Sequence, residues 1–142
     1  MTILNKQKKV RLALRPLDKF SQRALRQLKL KRGSANIALI TDAEIARLNK
    51  IYRKKDKPTD VLSFPVQSSA KRPDRKKFLG DVAIAPAVAR RYAKKNSRTL
   101  ENEICILILH GILHLLGYDH ETDRGQMDRI EHRLRRKLGL EP

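Results

Sequence analysis

The sequence is poor in aromatic residues and in cysteine. It has no tryptophan, and its three phenylalanines and three tyrosines amount to 4% of 142 residues. These are too few for an extended platform on which successive bases of a single strand stack. The one cysteine, Cys105, excludes a disulfide within the chain and suits a reducing compartment. Because it lies in the apolar run 104–109, we interpret it as a packed core thiol and not as a nucleophile.

Long apolar segments are also missing. The run 104–109 is far shorter than the roughly 20 apolar residues that a membrane-spanning helix requires. The N-terminus lacks the apolar region and small-residue cleavage site of a secretory signal, and its basic character resembles a transit peptide only in part, because it contains little serine. We therefore expect a cytoplasmic protein that does not span a membrane.

Acidic residues are scarce relative to basic ones. The chain has 33 Lys and Arg against 15 Asp and Glu, a formal net charge of +18. The excess is spread: residues 1–35 carry eleven basic residues against one acidic residue, and residues 71–98 carry ten against two. A charge of this size favours nucleic acid as the partner, with an anionic membrane surface as the alternative. Contacts to the phosphate backbone should dominate binding and weaken as salt rises.

Hydrophobic periodicity predicts an α+β fold in one domain spanning residues 1–142. We expect a small mixed sheet of about four strands covered by helices, with a metal site at the end of a central helix. The predicted helices are 16–32, closed by Gly33, 41–52, 86–96, 99–117 and 123–138. The predicted strands are 36–40, 61–64, which Pro65 should end or place at a sheet edge, and 79–85.

Three of the four histidines lie together near the end of the most apolar predicted helix. His110 and His114 are four residues apart, about one helical turn, so their imidazoles can meet one ion. Gly117 lets the chain turn back, and His120 can return as a third ligand. A lone histidine on an apolar helix is usually a hydrogen-bonded core residue, but the combined spacing favours a metal site. His132 lacks such spacing and is interpreted as a surface or packing residue.

Three imidazole ligands without a nearby cysteine are typical of a catalytic zinc site, in which a fourth position remains open. Zinc is the expected cofactor, one ion per chain, although imidazole ligands also suit nickel and copper. The spacing equals that of the metzincin proteases, H-E-x-x-H-x-x-G-x-x-H, at every specified position except one. That position is Gly111, which cannot act as the general base that a peptidase of this class requires.

Three segments of the chain closely resemble the YbeY family. They are 52–65, with the sequence YRKKDKPTDVLSFP, 79–82, with LGDV, and the histidine segment 110–120. The resemblance runs in matching order from about residue 36 to residue 139, whereas residues 1–35 resemble the family only in general character. One departure is Lys54, where the family commonly has glycine after the arginine.

This resemblance implies a zinc-dependent endoribonuclease directed at single strands, acting in small-subunit ribosomal RNA maturation and ribosome quality control. It further implies that His110, His114 and His120 bind zinc and that Arg53 is functionally important. An arginine near the metal would bind a phosphate bidentately and stabilise charge that develops on it. The implied partners are ribosomal RNA and the small subunit or its assembly factors, and the sheet order is also taken from the family.

Two other functions fit parts of the pattern. A non-catalytic ribosome-assembly factor would use zinc only to hold the His120 loop against the long helix, and a metzincin-like peptidase would need a base other than Gly111. For the nuclease, the general acid and base are unidentified, and the attacking oxygen belongs either to water or to the ribose 2′-hydroxyl. Asp60 and Asp119 lie near the motifs and could orient ligands or cap turns, so we leave both outside the predicted active site.

Overall fold

The computed structural model of the chain describes residues 2–67, 73–119 and 121–140. These residues form a four-stranded sheet in the order β1-β2-β4-β3, with β2 parallel to β1 and β4, and β3 antiparallel to β4. The strands are β1 (Ile3–Asn5), β2 (Ala35–Leu39), β3 (Val61–Pro65) and β4 (Gly80–Ile84). As predicted, Pro65 ends a strand at the sheet edge, where its missing N–H costs no ladder hydrogen bond.

Five helices are present in the described residues. They are α1 (Leu14–Gln27), α2 (Asp42–Arg53), α3 (Pro86–Lys95), α4 (Leu100–Leu115) and α5 (Gln126–Lys137). The hydroxyl oxygen of Thr41 accepts from the Glu44 N–H, and that of Thr99 accepts from the Asn102 N–H, so both threonines cap the helices that they precede. Within the described ranges, no helix is long and apolar enough to cross a membrane.

The main core lies between the sheet and the long helix α4. This helix packs on β3 and β4 and also contacts α1, α3 and α5. It is apolar on nearly every side, and residues such as Ile104, Ile108 and Ile112 are fully buried. A smaller cluster forms on the other face of the sheet, where Ile45 of α2 packs with Leu62 of β3. The sheet is thus covered on both faces, and α4 is the central helix.

The predicted fold class, a single α+β domain with a mixed sheet of about four strands, is confirmed. The main omission is β1, a three-residue strand that depends on parallel pairing with β2 more than 30 residues away in the sequence. The first helix ends at Gln27 and not at residue 32, because Lys29 takes a left-handed conformation with φ +58° and turns the chain before it reaches Gly33. The last helix begins at Gln126 and not at residue 123.

Candidate metal centre

The two histidines of α4 converge as their spacing predicts. His110 and His114 lie on the same face in the last turns of the helix, and their Nε2 atoms are 3.0 Å apart. Zinc–nitrogen bonds of ~2.0–2.1 Å allow one ion to bridge two nitrogens up to about 4 Å apart. Both donors are imidazoles facing one point, so the pair fits a zinc ion by chemistry and by separation.

The third predicted ligand, His120, lies outside the described residues. The chain before it turns as predicted: Gly117 has φ +96°, in the left-handed region, and its N–H donates to the His114 carbonyl. The carboxylate of Asp119 accepts from the Glu121 N–H at 2.9 Å, which makes it a turn-capping group. Over residues 2–67, 73–119 and 121–140, no three His, Cys, Asp or Glu side chains form a cluster that would hold a metal.

The carboxylate of Glu131 on α5 contacts Nδ1 of His110 and thereby orients its ring. Its Oε1 lies 2.8 Å from His110 Nδ1, and its Oε2 accepts from Arg135 Nη2 at 2.8 Å. The Glu131 side chain is only 8% exposed. Because an ionised carboxylate can only accept, Nδ1 of His110 carries the donated proton, and the lone pair of its Nε2 points toward His114. A metal-binding imidazole usually donates the N–H of its other ring nitrogen to a carboxylate in this way.

Glu131 was not among the predicted site residues, although the sequence of α5 carries a signal for it. The buried positions of this helix are Met127, Glu131 and Leu134, so an acidic residue interrupts the apolar face at helical spacing. A buried carboxylate needs a partner, and periodicity alone does not identify one on another helix. Only the packing of α5 on α4 shows that the partner is His110.

Arg53 joins the two histidines in one pocket. A cavity of about 240 Å³ is lined by Arg53, His110 and His114 and by β3 residues 61–63 and 65. Arg53 is exposed, and in the part of the chain that the structure describes its guanidinium pairs with no carboxylate. The structure therefore brings together the three predicted site residues that it describes, with the arginine available to an anion in the pocket.

The end of α2 positions Arg53 beside β3. Arg53 is the last residue of the helix, and Lys54 follows in a left-handed conformation with φ +57°. The buried amide of Asn49 donates to the Lys57 carbonyl at 2.9 Å and holds the loop against the helix. Tyr52 and Phe64 pack edge to face, with their ring centroids 5.2 Å apart. These contacts attach the helix end to the strand that lines the pocket.

Gly111 allows α4 to approach the sheet closely. A Cβ atom at this position would lie 2.4 Å from Cγ1 of Val82 on β4, a severe clash. The Gly111 carbonyl accepts a hydrogen bond of 3.0 Å from the Ser63 hydroxyl on β3. The position therefore faces the sheet and has no room for the glutamate that a metzincin peptidase uses as its base.

Burial raises the pKa values of two further side chains, Asp60 and Cys105. Burial is the main cause that raises the pKa of the Asp60 carboxyl, with a further contribution from the charge of Glu103, while His110 opposes the shift. Burial also raises the pKa of the Cys105 thiol to about 12, which agrees with its interpretation as a core residue. His132 lies on the exposed side of α5.

Together, the fold and the pocket define a small basic α+β protein with paired helical histidines beside an arginine. The sequence profile of the endoribonuclease YbeY family matches residues 2–139. The endoribonuclease YbeY of Solibacter usitatus is 48% identical over 125 residues, which cover 87% of this chain and 78% of the relative. That of Aquifex aeolicus is 45% identical over 119 residues, which cover 84% of this chain and 77% of the relative. The chain belongs to the YbeY family.

A solved structure supports the same assignment at the level of the fold. The solution structure of TM1509 from Thermotoga maritima superimposes with a TM-score of 0.66 at 27% sequence identity. The match covers 96% of this chain and 87% of the other. The resemblance that the three sequence segments indicated is therefore confirmed, and it extends to the N-terminal residues that resembled the family only in general character.

Proposed function

We propose that this protein is a zinc-dependent endoribonuclease that cleaves single-stranded regions of ribosomal RNA. The observation that carries the proposal is the pocket in which the Nε2 atoms of His110 and His114 converge at 3.0 Å beside Arg53. Family membership supports the reaction class, since the relatives are named endoribonucleases. The net charge of +18 supports a polyanionic substrate.

The residues of the pocket have two proposed roles: the histidines would bind the metal ion, and the arginine would bind the phosphate. His110 and His114 would hold the ion, with His120 as the predicted third ligand. A bound zinc ion supplies Lewis acidity, which polarises a phosphoryl oxygen and lowers the pKa of a coordinated water. The Arg53 guanidinium would bind the scissile phosphate bidentately and stabilise the charge that develops during cleavage. Glu131 holds the His110 ring so that its Nε2 faces the pocket.

We further propose a cytoplasmic role in small-subunit ribosomal RNA maturation and ribosome quality control, with the small subunit or its assembly factors as partners. The single buried cysteine suits a reducing compartment. The family's name supports an RNA substrate. The basic surface would bind folded RNA through its phosphates, largely independently of sequence.

The peptidase alternative is disfavoured by the contact between Gly111 and Val82, because no acidic side chain fits at that position. The alternative of a non-catalytic assembly factor with a structural zinc shares the same basic surface. It differs in one expectation: removing a metal ligand would then affect folding and not a chemical step.

The experiment that tests the proposal compares metal content and RNA cleavage in three proteins. The native chain should hold about one zinc and cut a labelled single-stranded RNA. Arg53→Ala should keep the metal and lose cleavage, while His114→Ala should lose both and remain folded by circular dichroism. Arg47→Ala, on the same helix as Arg53, is the matched control, because Arg47 pairs with Glu44 at 2.6 Å and is outside the pocket.

Cleavage that persists at the native rate in both variants would indicate a contaminating nuclease. That result would contradict the proposal and favour the non-catalytic assembly factor. Analysis of the cleaved ends then identifies the attacking oxygen. A 2′,3′-cyclic phosphate shows attack by the ribose 2′-hydroxyl, whereas direct attack by water leaves no cyclic product. Survival of a casein substrate under the same conditions would exclude the peptidase.

A further inference from the structure

A second concave surface runs along α5. Its volume is about 710 Å³, and it is lined by Tyr118 and by one face of the helix. That face is formed by side chains three or four residues apart, which lie in one row on a helix. Its members are Gln126, Arg129, Ile130, Arg133 and Arg136. We call this surface the α5 groove.

The groove is cationic. Three arginines line it against one acidic residue, Asp128. Arg133 and Arg136 are exposed, and across the described ranges neither pairs with a carboxylate. Arg129 donates one hydrogen bond, to the Arg124 carbonyl at 3.3 Å. Guanidinium groups in such a row suit a phosphate backbone, because each can bind two phosphate oxygens at once.

Two contacts relate the elements that line the groove to the candidate metal ligands. On one side, Glu131 of the same helix contacts His110 at 2.8 Å, so α5 is fixed relative to the candidate metal ligands. On the other side, Tyr118 follows His114 by four residues, and its N–H donates to the Leu113 carbonyl. Tyr118 is half-buried and packs against the main core, which gives its ring a fixed position.

We propose that the α5 groove binds the RNA strand on one side of the phosphate held by Arg53. The arginines contact successive phosphates, and the Tyr118 ring contacts a base or ribose where the strand leaves the pocket. This inference rests on the proposed function, because it assigns the groove to the substrate of that same pocket. It adds a direction: nucleotides on one side of the cleavage site lie along α5, and those on the other side do not.

The test compares two charge reversals of equal size. Arg133→Glu with Arg136→Glu changes the groove, and Arg90→Glu with Lys94→Glu changes the exposed face of α3 by the same net charge. Binding of a fluorescent single-stranded RNA of about 20 nucleotides is measured by anisotropy at several salt concentrations. The groove variant should lose about tenfold or more in affinity, and its salt slope should fall by about 1.4, which corresponds to two phosphate contacts on a single strand.

Equal losses in both variants would show that only the net charge matters, and this would overturn the proposal. The proposal would also be overturned if the groove variant bound RNA as tightly as the native protein, or if it lost affinity only for anionic phosphatidylserine vesicles. Thermal unfolding of both variants confirms that each is folded. The less disruptive change Tyr118→Leu should weaken RNA binding by about threefold or more, since it removes the stacking of the ring on a base, and an apolar side chain retains part of the contact.

Crosslinking provides the directional test. RNAs with a single 4-thiouridine on either side of the cleavage site should crosslink to α5 from one side only, and crosslinks from both sides equally would overturn the inference. All of these readouts measure binding, so they also work in His114→Ala. If native protein fails to cleave RNA but the groove variant still loses binding selectively, the proposed function fails while the groove assignment stands.

Discussion

Oε1 of Glu131 lies 2.8 Å from Nδ1 of His110, although the two residues are 21 positions apart and belong to different helices. The contact is largely shielded from solvent, and Arg135 occupies the second carboxylate oxygen. It fixes the proton on Nδ1 and leaves Nε2 as the candidate ligand atom. The position of the candidate metal ligand is thus determined by α5 as well as by the helix that carries it.

The first prediction concerns this contact. Glu131→Gln keeps the shape of the side chain but removes the charge that holds both His110 and Arg135, so zinc affinity should fall by about 10- to 100-fold. A competition titration with a chromophoric chelator measures this without any reference to RNA cleavage. Glu101→Gln, an equal change of charge at an exposed position of α4, is the control and should leave the affinity unchanged. Equal zinc affinities in the two variants would show that Glu131 does not support the metal centre.

A second prediction concerns Lys54, where the family commonly has glycine. Lys54 adopts φ +57°, and the Lys55 N–H donates to the Asn49 carbonyl across the helix end. A left-handed conformation costs a residue with a side chain roughly 1 kcal/mol, which glycine avoids. Lys54→Gly should therefore raise the free energy of unfolding by about 0.5–1 kcal/mol in urea titrations. Lys55→Gly is the control and should not stabilise the protein; a loss of stability in Lys54→Gly would contradict the argument.

The third prediction concerns the close contact between α4 and β4. Gly111→Ala places a methyl group 2.4 Å from Cγ1 of Val82 and should destabilise the protein by about 1–3 kcal/mol. Combining it with Val82→Ala removes the nearest atoms, so the double variant should lose less stability than the sum of the two single changes. Thermal unfolding of all four proteins of this cycle measures the coupling. Strict additivity would show that the clash is relieved elsewhere.

Sequence patterns predicted those parts of the fold that depend on local interactions. The caps at Thr41 and Thr99, the turn at Gly117 and the strand end at Pro65 follow from backbone chemistry within a few residues. The strand β1 could not be predicted in this way, because three residues form a strand only through a partner distant in sequence. The first helix ends earlier than predicted because Lys29 adopts the left-handed conformation that the sequence pattern led us to expect at Gly33.

The candidate site likewise combines residues that local patterns predict with residues whose positions depend on contacts between distant segments. The spacing of His110 and His114 predicted their convergence, since both lie on one helix. Arg53 was assigned by resemblance, and its location beside the histidines depends on how α2 packs against β3. Glu131 required the contact between two helices, which no local pattern contains. The predicted zinc ion and its third ligand, His120, remain predictions.

The fourth prediction separates the geometry of Arg53 from its charge. Arg53 lines the histidine pocket, and a guanidinium binds two phosphate oxygens in one plane, whereas an ammonium acts as a point charge. Arg53→Lys should therefore keep RNA affinity within about twofold but lower the single-turnover cleavage rate by about 10- to 100-fold. Zinc content should be unchanged, since Arg53 is not a predicted ligand. Arg47→Lys, on the same helix and paired with Glu44, should cleave at the native rate.

Measuring affinity and rate separately distinguishes the two roles of a cationic side chain. If Arg53 contributed only to the general attraction between the protein and RNA, lysine would replace it fully, and both affinity and rate would stay native. If it contributed to ground-state binding alone, affinity would fall and the single-turnover rate at saturating protein would not. A fall in rate at constant affinity is expected only when the guanidinium contacts the phosphate more strongly in the transition state than in the bound substrate.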